Sequence, residues 1–364
     1  MNPGKNARYL KVFRIRFYVC LFFLNWKITF RKLLLILLKL KSVYSLVNTV
    51  EFIRFIKEIT CSEIVSLSKK ITGSDKLLSI KSGNTAADII IGVSDGRYAV
   101  GQTLCFLERL PENEKSTQLK QTCIITNQQT AAKLTGHNLI IVDDPRALFI
   151  DLLSQLKQSP GFACFSSLVD VEPEIHKDSQ IHSQAVIEPG VYIAQGAVIN
   201  AGCVIKQGTY IGRNVTIREN TTIGTAGITV YKTQDDRVLR FPHIAGVIIG
   251  DEVEIGASCV IAKGVMSSTV IGNNSVIGNL SNIGHGVNIG HHVWMSVGSL
   301  IGGNTKIGER STLGLGVSVR DNLKIGHDCS IGMGAVVVKD VQTGDSMFGN
   351  PAKKMRKINA GPKR

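Results

Sequence analysis

An aliphatic residue recurs at every sixth position through the second half of this 364-residue chain. The first register holds nine such positions, from Ile175 to Ile223, and the last holds twelve, from Ile271 to Val337, with a middle run of three between them. A period of six fits neither an α-helix, which has about 3.6 residues per turn, nor the simple alternation of a strand. It fits a solenoid in which each hexad forms one short strand and one tight corner, so that three hexads close a triangular coil.

The predicted fold is therefore mainly β: a left-handed parallel β-helix of hexapeptide repeats, preceded by a small α/β domain. Stacked coils would bury a narrow column of Ile and Val, which agrees with an aromatic content of only 6%. Gly and Asn at the corners would accept backbone angles that other residues avoid, and the chain has 36 glycines. We divide the chain into an arm at 1–51, the α/β domain at 52–160, the β-helix at 170–341 with a loop at 225–247, and a tail at 342–364.

The N-terminal arm is basic and apolar. Residues 1–50 contain ten Lys or Arg and no acidic residue, within a chain of net charge +14. Its two apolar runs, FYVCLFFLNW and LLLILL, are each about half of the roughly 20 residues that a membrane-spanning helix needs. We expect a cytoplasmic protein whose arm makes peripheral contact with an anionic inner-membrane surface. A signal peptide, or translated sequence upstream of the true start, are the alternatives.

The eight cysteines are scattered and form no C-x-x-C pair, which is typical of reduced thiols in a cytosolic protein. We expect no metal site, because no His, Cys and Asp cluster has ligand spacing. We also expect no nucleic-acid partner, because no groove pattern of basic and aromatic residues is present.

The chain contains no phosphate loop, no H-E-x-x-H helix and no G-x-S-x-G elbow. We therefore consider a reaction that needs few catalytic residues. Acyl transfer from a thioester needs one general base and donors for the developing oxyanion. Histidine suits the base, since it titrates near neutral pH. His285 lies with Asn279 and Asn282 in a run of small residues that a thin donor arm can approach. Spacing alone leaves it one of four equivalent corner histidines.

The stretch from about Ser94 to Val319 resembles the UDP-3-O-acylglucosamine N-acyltransferases of lipid A biosynthesis. LIIVDDPRALFIDLLSQL is similar to the end of that family's nucleotide-recognition domain, which places such a domain at 52–160. RFPHIAGVIIGDEVEIGASCVIAKGVMSSTVIGN is similar to the family's central signature. IGHGVNIG matches the stretch that holds its catalytic histidine, which falls on His285.

The resemblance implies a homotrimer that transfers a (3-hydroxy)acyl group from acyl carrier protein to the 2-amino group of a UDP-3-O-acylglucosamine. His285 would be the base, and the N–H of Gly302 or Gly303 would receive the oxyanion. No resident cofactor is implied, since the donor is a phosphopantetheine thioester on the carrier protein. Phe106 corresponds to an aromatic that stacks on uracil, although a packed core Phe fits it equally. The predicted substrate-binding residues are Phe106, His243, Asn279, Asn282, Gly302 and Gly303.

The chain also departs from that family. Ala262 and Lys263 replace an acidic–basic pair, Gly278 replaces an Asp, and Asn322 stands where a second His is expected. The ending GNPAKKMRKI is similar to acetyl-CoA-dependent sugar acetyltransferases of the same repeat superfamily. The alternatives are therefore a sugar O- or N-acetyltransferase that uses acetyl-CoA, or a non-catalytic paralogue that binds a nucleotide sugar.

Overall fold

The computed structural model describes residues 52–73, 77–81, 88–96, 101–110, 122–162 and 172–355. The predictions made for the N-terminal arm fall outside these ranges. Among the helices in the described ranges, none combines the length and the apolar character needed to cross a bilayer.

The first part of the described chain contains a six-stranded sheet in the order β1-β3-β4-β5-β6-β2. The strands β3 to β6 run parallel to one another, and β1 and β2 pair antiparallel at the two edges. Two of these strands, β3 and β6, form from the apolar sequences IIIGVS and NLIIV. The strands are β1 (Phe52–Thr60), β2 (Leu77–Lys81), β3 (Ile89–Ser94), β4 (Thr103–Leu107), β5 (Cys123–Thr126) and β6 (Asn138–Val142).

Helices cover both faces of this sheet. The helix α1 (Cys61–Thr72) begins at a capping box formed by Thr60 and Glu63. The helix α3 (Pro145–Gln158) has Asp144 as its N-cap and proline at its first position, where proline fits well. The helices α1 and α3 bury apolar residues on one face, and the short helix α2 (Gln128–Ala131) packs on the other. The result is a layered α/β domain.

The second part is a left-handed parallel β-helix with three faces. Within each face, every strand pairs with the corresponding strand of the next coil, as in the register of Ile283 with Ile301 and of Ile301 with Val319. Face 1 contains β7 (Glu174–Ile175), β10 (Tyr192–Ile193), β13 (Thr209–Ile211), β18 (Val247–Ile249), β21 (Thr269–Ile271), β24 (Asn288–Ile289), β27 (Lys306–Ile307) and β30 (Lys324–Ile325).

The other two faces are built in the same way. Face 2 contains β8 (Gln180–Ile181), β11 (Val198–Ile199), β14 (Thr216–Ile217), β19 (Glu254–Ile255), β22 (Val276–Ile277), β25 (Trp294–Met295), β28 (Thr312–Leu313), β31 (Ser330–Ile331), β33 (Ser346–Phe348) and β34 (Lys353–Lys354). Face 3 contains β9 (Val186–Ile187), β12 (Val204–Ile205), β15 (Thr222–Ala226), β20 (Val260–Lys263), β23 (Asn282–Ile283), β26 (Leu300–Ile301), β29 (Ser318–Val319) and β32 (Val336–Val337).

The six-residue period has its physical origin in the core and the corners of these coils. The recurring aliphatic residues form one continuous buried column, most of them 0 to 5% exposed. The third residue after the inward one adopts a positive φ at most corners, and Gly and Asn are frequent there. The six cysteines in the described ranges are buried free thiols.

Both interruptions of the repeat start on face 3. The insertion at 225–247 follows Ile223 of β15 and contains an antiparallel hairpin of β16 (Val230–Lys232) and β17 (Val238–Arg240). The four-residue slip lies between β20 and β21. Apolar residues of both segments pack into the core of the α/β domain: Phe241, Ile244, Ala245 and Met266. The interruptions therefore attach the α/β domain to the side of the β-helix.

The two ends of the coil stack differ. In the first coil the inward residue Ile175 is 39% exposed, and Ile181 and Ile187 are only partly buried. At the other end, Val341 and Met347 pack against the last coil. Residues assigned from the sequence to a C-terminal tail thus contribute β33 and β34, which extend face 2 and cover this end.

Candidate active site

His285 lies at a corner of the β-helix, two residues after Ile283 of β23. The next two coils place Gly303 and Asp321 at the same corner, because they follow His285 at intervals of 18 residues. The Asn304 amide donates to the carbonyl of His285 (2.7 Å), and the Asn322 amide donates to the carbonyl of Gly303 (2.8 Å). These bonds hold the three corners in one stack.

The insertion brings a second histidine to this corner. The strands β15, β20 and β23 are successive neighbours on face 3, so both interruptions leave the β-helix within two coils of His285. The rings of His243 and His285 meet edge to face, with centroids 5.4 Å apart and planes at 78°. Gly227 makes this approach possible, because a Cβ there would lie 2.9 Å from Nε2 of His243 and 3.4 Å from Cβ of His285.

His243 is held as a neutral ring. It is 4% exposed, and its ring hydrogen-bonds to the carbonyl of Phe241. Burial, followed by the neighbouring His285, lowers the pKa of His243 to about 4. Its Nε2 is buried and has no hydrogen-bond partner among the described residues. The ring therefore offers a lone pair that no protein group in the described ranges uses.

His285 is also kept neutral at physiological pH, which is the state a general base requires. Burial lowers its pKa, and the carboxylate of Asp321 acts in the opposite direction. Its Nδ1 is buried without a hydrogen-bond partner in the described part of the chain. Its Nε2 lies against Gly303, where a Cβ would come within 2.4 Å of it. Only His285 has a nearby carboxylate to stabilise its charged form, so the two histidines are chemically distinct.

The two glycines predicted as oxyanion donors are not equivalent. The amide of Gly302 donates to the carbonyl of Val319 (2.8 Å) and belongs to the β-helix ladder. The amide of Gly303 makes no hydrogen bond to another described residue. An amide without a partner in the described ranges, on a residue that contacts the imidazole of His285, is a suitable donor to a tetrahedral oxyanion.

Asn279 and Asn282 lie away from the two histidines. Asn279 is at the corner between faces 2 and 3, where its side-chain oxygen accepts from the Ala257 amide (2.9 Å). This bond ties neighbouring coils together. Asn282 opens β23 with an exposed side chain on face 3. No contact joins either side chain to His285, so their assignment to substrate binding stays a prediction.

Phe106 lies at the junction of the α/β domain and the insertion. Its ring is half-buried, 4.9 Å from that of Phe149 and 6.4 Å from that of Phe241. The guanidinium of Arg146 lies 5.9 Å from the Phe106 ring and 5.0 Å from that of Tyr231. Tyr231 also donates to Asp144 at the start of α3. Phe241, which precedes His243 by two residues, therefore links this aromatic group to His243.

Two neighbours of His285, Gly227 and Asp321, were not predicted from the sequence. Asp321 was detectable, since two steps of 18 residues from His285 lead to it. Gly227 has no sequence signal, because only the folded insertion places it between the two rings.

A separate concavity of about 600 Å³ lies at the corner between faces 1 and 2. It is lined by polar side chains that already have partners, including Arg213 with Asp251 and Asn214 with Glu252. It contains none of the residues predicted to act in catalysis or substrate binding.

Comparison with known proteins supports the repeat assignment. Residues 172–207 match the sequence profile of the family described as bacterial transferase hexapeptide (six repeats). A UDP-3-O-acylglucosamine N-acyltransferase of Coxiella burnetii is 41% identical over 51 residues. That match covers 14% of this chain and 15% of the length of the relative.

Solved structures give matches of wider extent and lower identity. A UDP-N-acetylglucosamine acyltransferase of Francisella novicida is 25% identical, with a TM-score of 0.43 over 52% of this chain and 69% of its own. Another UDP-N-acetylglucosamine acyltransferase is 22% identical, with a TM-score of 0.47 over 51% of this chain and 70% of its own.

Proposed function

We propose that this hexapeptide-repeat protein is an acyltransferase that uses His285 as its general base. The observation that carries the proposal is the neutral, half-buried imidazole of His285 beside the Gly303 amide, which has no hydrogen-bond partner among the described residues. A base and an oxyanion donor at one corner are the two groups that direct attack on a thioester requires.

The preferred donor is an acyl group carried on acyl carrier protein, and the preferred acceptor is the 2-amino group of a UDP-3-O-acylglucosamine. The relative from Coxiella burnetii, which carries this acceptor class in its name, supports this choice. The aromatic group around Phe106 supports it too, because aromatic rings beside a guanidinium suit a base and a phosphate group.

The reaction would proceed without a covalent enzyme intermediate. The acceptor nitrogen attacks the thioester carbonyl while Nε2 of His285 removes its proton, and the Gly303 N–H stabilises the oxyanion. Collapse of the tetrahedral intermediate formed by this attack breaks the carbon–sulfur bond of the thioester. The imidazolium then returns the proton to the departing thiolate, so His285 ends neutral.

We further propose that the protein works as a homotrimer in which a neighbouring β-helix completes the donor groove. Exposed apolar side chains on faces 2 and 3 support an interface of this kind, among them Trp294 at 60% and Leu300 at 52%. Peripheral contact of the N-terminal arm with the inner membrane remains part of the proposal.

A second candidate is a sugar acetyltransferase that uses acetyl-CoA. It is favoured by the GNPAKKMRKI ending, whose first part forms the turn and strand that follow β33. The same base and oxyanion donor would serve this reaction.

One assay separates these candidates. The protein is incubated with UDP-3-O-acylglucosamine and either 3-hydroxyacyl carrier protein or acetyl-CoA, and acyl transfer is followed by mass spectrometry. Turnover with acetyl-CoA alone would refute the carrier-protein donor. Absence of turnover with both, together with binding of a uridine nucleotide, would support a non-catalytic binding protein. His285→Ala should lower kcat by about 10² or more, as loss of a general base commonly does.

A further inference from the structure

Asp321 stands in the same corner stack as His285, two coils along the β-helix. The register of face 3 fixes this relation, because Ile283, Ile301 and Val319 are paired in succession and each precedes its corner residue by two positions. The rise per coil is about 4.8 Å, the spacing of neighbouring strands. The backbone positions of His285 and Asp321 are therefore separated by about two such steps.

Gly303 leaves the space between these two residues open. It is the middle member of the stack, and any side chain on it would occupy the position of the imidazole. The ring of His285 extends over this glycine toward the coil that carries Asp321. The glycine thus lets a base and a carboxylate on alternate coils act on each other.

The carboxylate of Asp321 is oriented by amide side chains and pairs with no cation in the described ranges. Asn322 donates to its Oδ2 (2.5 Å), and Asn304 donates to the side-chain oxygen of Asn322 (3.2 Å). These three residues form a chain along the corner. The negative charge of Asp321 acts on His285 and raises its pKa against the effect of burial.

We propose that Asp321 is the carboxylate partner of His285: a positioning residue that stabilises the imidazolium formed when the base accepts the acceptor's proton. Its catalytic consequence rests on the proposed function, but the electrostatic effect of Asp321 on His285 belongs to the free protein. The charge on His285 forms and disappears within one turnover, so a fixed carboxylate nearby lowers the energy of the charged intermediate.

Other titratable groups around the site do not take this role. His243, from the insertion, faces His285 as a neutral ring. Lys263 and Lys157 act on His243 and would oppose a positive charge there. Asp321 is the acidic group whose charge acts on His285.

The first test uses the free protein and needs no substrate. The Cε1–H resonance of His285, assigned by its loss in His285→Gln, is followed by NMR as a function of pH in wild type, Asp321→Asn and Glu309→Gln. Glu309→Gln is a matched control, because this substitution removes one carboxylate from another corner of the β-helix. We expect the titration of His285 to move to lower pH in Asp321→Asn and to stay unchanged in Glu309→Gln. An unchanged titration in Asp321→Asn would overturn the pairing.

The second test uses the pH dependence of acyl transfer. Asp321→Asn should lower kcat about tenfold at its plateau, leave KM for the sugar nucleotide near its wild-type value, and shift the acidic limb of the profile to lower pH. A loss of kcat with an unmoved limb would contradict the proposal, since it would show a purely structural effect. Asp321→Ser provides a second variant if the amide variant folds poorly.

The two tests also separate this inference from the proposed function. A shifted titration without turnover on any donor would leave the pairing intact and reject the acyltransferase. Turnover together with an unshifted titration would reject the role of Asp321 and leave the proposed acyltransferase function intact.

Discussion

The imidazole of His285 lies between two glycines that come from different parts of the chain, Gly227 of the insertion and Gly303 of the next coil. Neither of them has a positive φ. Their requirement is therefore space for the imidazoles rather than backbone freedom. This distinction leads to a substitution that should affect the reaction far more than the fold.

Gly303→Ala should lower kcat by about 10², because the added Cβ would lie 2.4 Å from Nε2 of His285 and displace the base. The backbone at this position accepts alanine, so the thermal unfolding temperature should change little. Steady-state kinetics and thermal unfolding check the two expectations. In a His285→Ala background the same change should have no further effect on activity, and an additive loss would contradict the steric explanation.

A second prediction at the residue scale concerns acid stability. The pKa of His243 is about 4 in the folded protein and near 6.5 when the chain unfolds. The unfolded state therefore binds the proton first as pH falls, and the free energy of unfolding should decrease between pH 6.5 and 4. The full contribution is about 3 kcal/mol, present above pH 6.5. His243→Gln should flatten this dependence in urea unfolding measured at several pH values.

The control for this prediction is His292→Asn. His292 is exposed at a corner with a φ of 55°, a conformation that asparagine readily adopts. Its removal should leave the pH dependence of stability intact. Equal flattening by both substitutions would show that His243 is not the residue responsible.

His285 was predicted from a resemblance to a known family, and Gly303 was predicted as one of two alternative oxyanion donors. It could not rank Gly302 against Gly303, because only the ladder bond to Val319 shows which amide is already used. His243 was placed in a loop without its contact to His285. That contact depends on how the insertion folds back, which a repeat period does not encode.

At the level of elements, the corners carry most of the sequence constraint. The inward positions need an aliphatic side chain, and the third position after them needs a left-handed backbone at most corners. Leu280 is an exception, with a φ of 61° and 62% exposure. Leucine in this conformation costs about 1 kcal/mol relative to residues that accept it.

Leu280→Asn should therefore raise the free energy of unfolding by about 0.5 to 1 kcal/mol. Leu315 is a suitable comparison, because it is 51% exposed at the equivalent face boundary and its φ is not positive. Leu315→Asn should leave stability unchanged or reduce it slightly. Urea unfolding of both variants provides the measurement, and equal effects would exclude the backbone explanation.

The elements also show where periodicity ceases to be informative. The register predicted the strands of the β-helix, because each hexad repeats the same strand and corner. The hairpin β16–β17 was missed, since its strands are short and outside the register. The strands β33 and β34 were assigned to a tail because the sixfold pattern ends before them.

At the scale of the whole described molecule, the two interruptions join the α/β domain to the corner that carries His285. Ile244 is fully buried in the core of that domain and directly follows His243. Tyr231 and Arg237 add polar contacts from the hairpin to Asp144 and Asp151. The position of His243 therefore depends on a domain other than the one that carries His285.

Ile244→Ala should reduce both stability and catalysis. Loss of a buried isoleucine costs about 2 to 5 kcal/mol, and the loosened insertion should no longer hold His243 against His285. Ile249→Ala is the control, since Ile249 is equally buried but lies in the column of the β-helix. Acyl transfer per folded molecule should fall only in Ile244→Ala, and equal activity of the two folded variants would refute the coupling.

The stacked corners make residue number a measure of height along the β-helix. Each step of 18 residues raises a side chain by about 4.8 Å above the imidazole, so Gly303, Asp321 and Lys339 mark the first, second and third levels. Removing one complete coil, residues 304–321, would bring Lys339 down to the level that Asp321 occupies. The charge facing His285 would then change sign while the inward column stayed continuous. In this architecture, deleting one complete coil changes the charge near His285 without any substitution of a residue in the site.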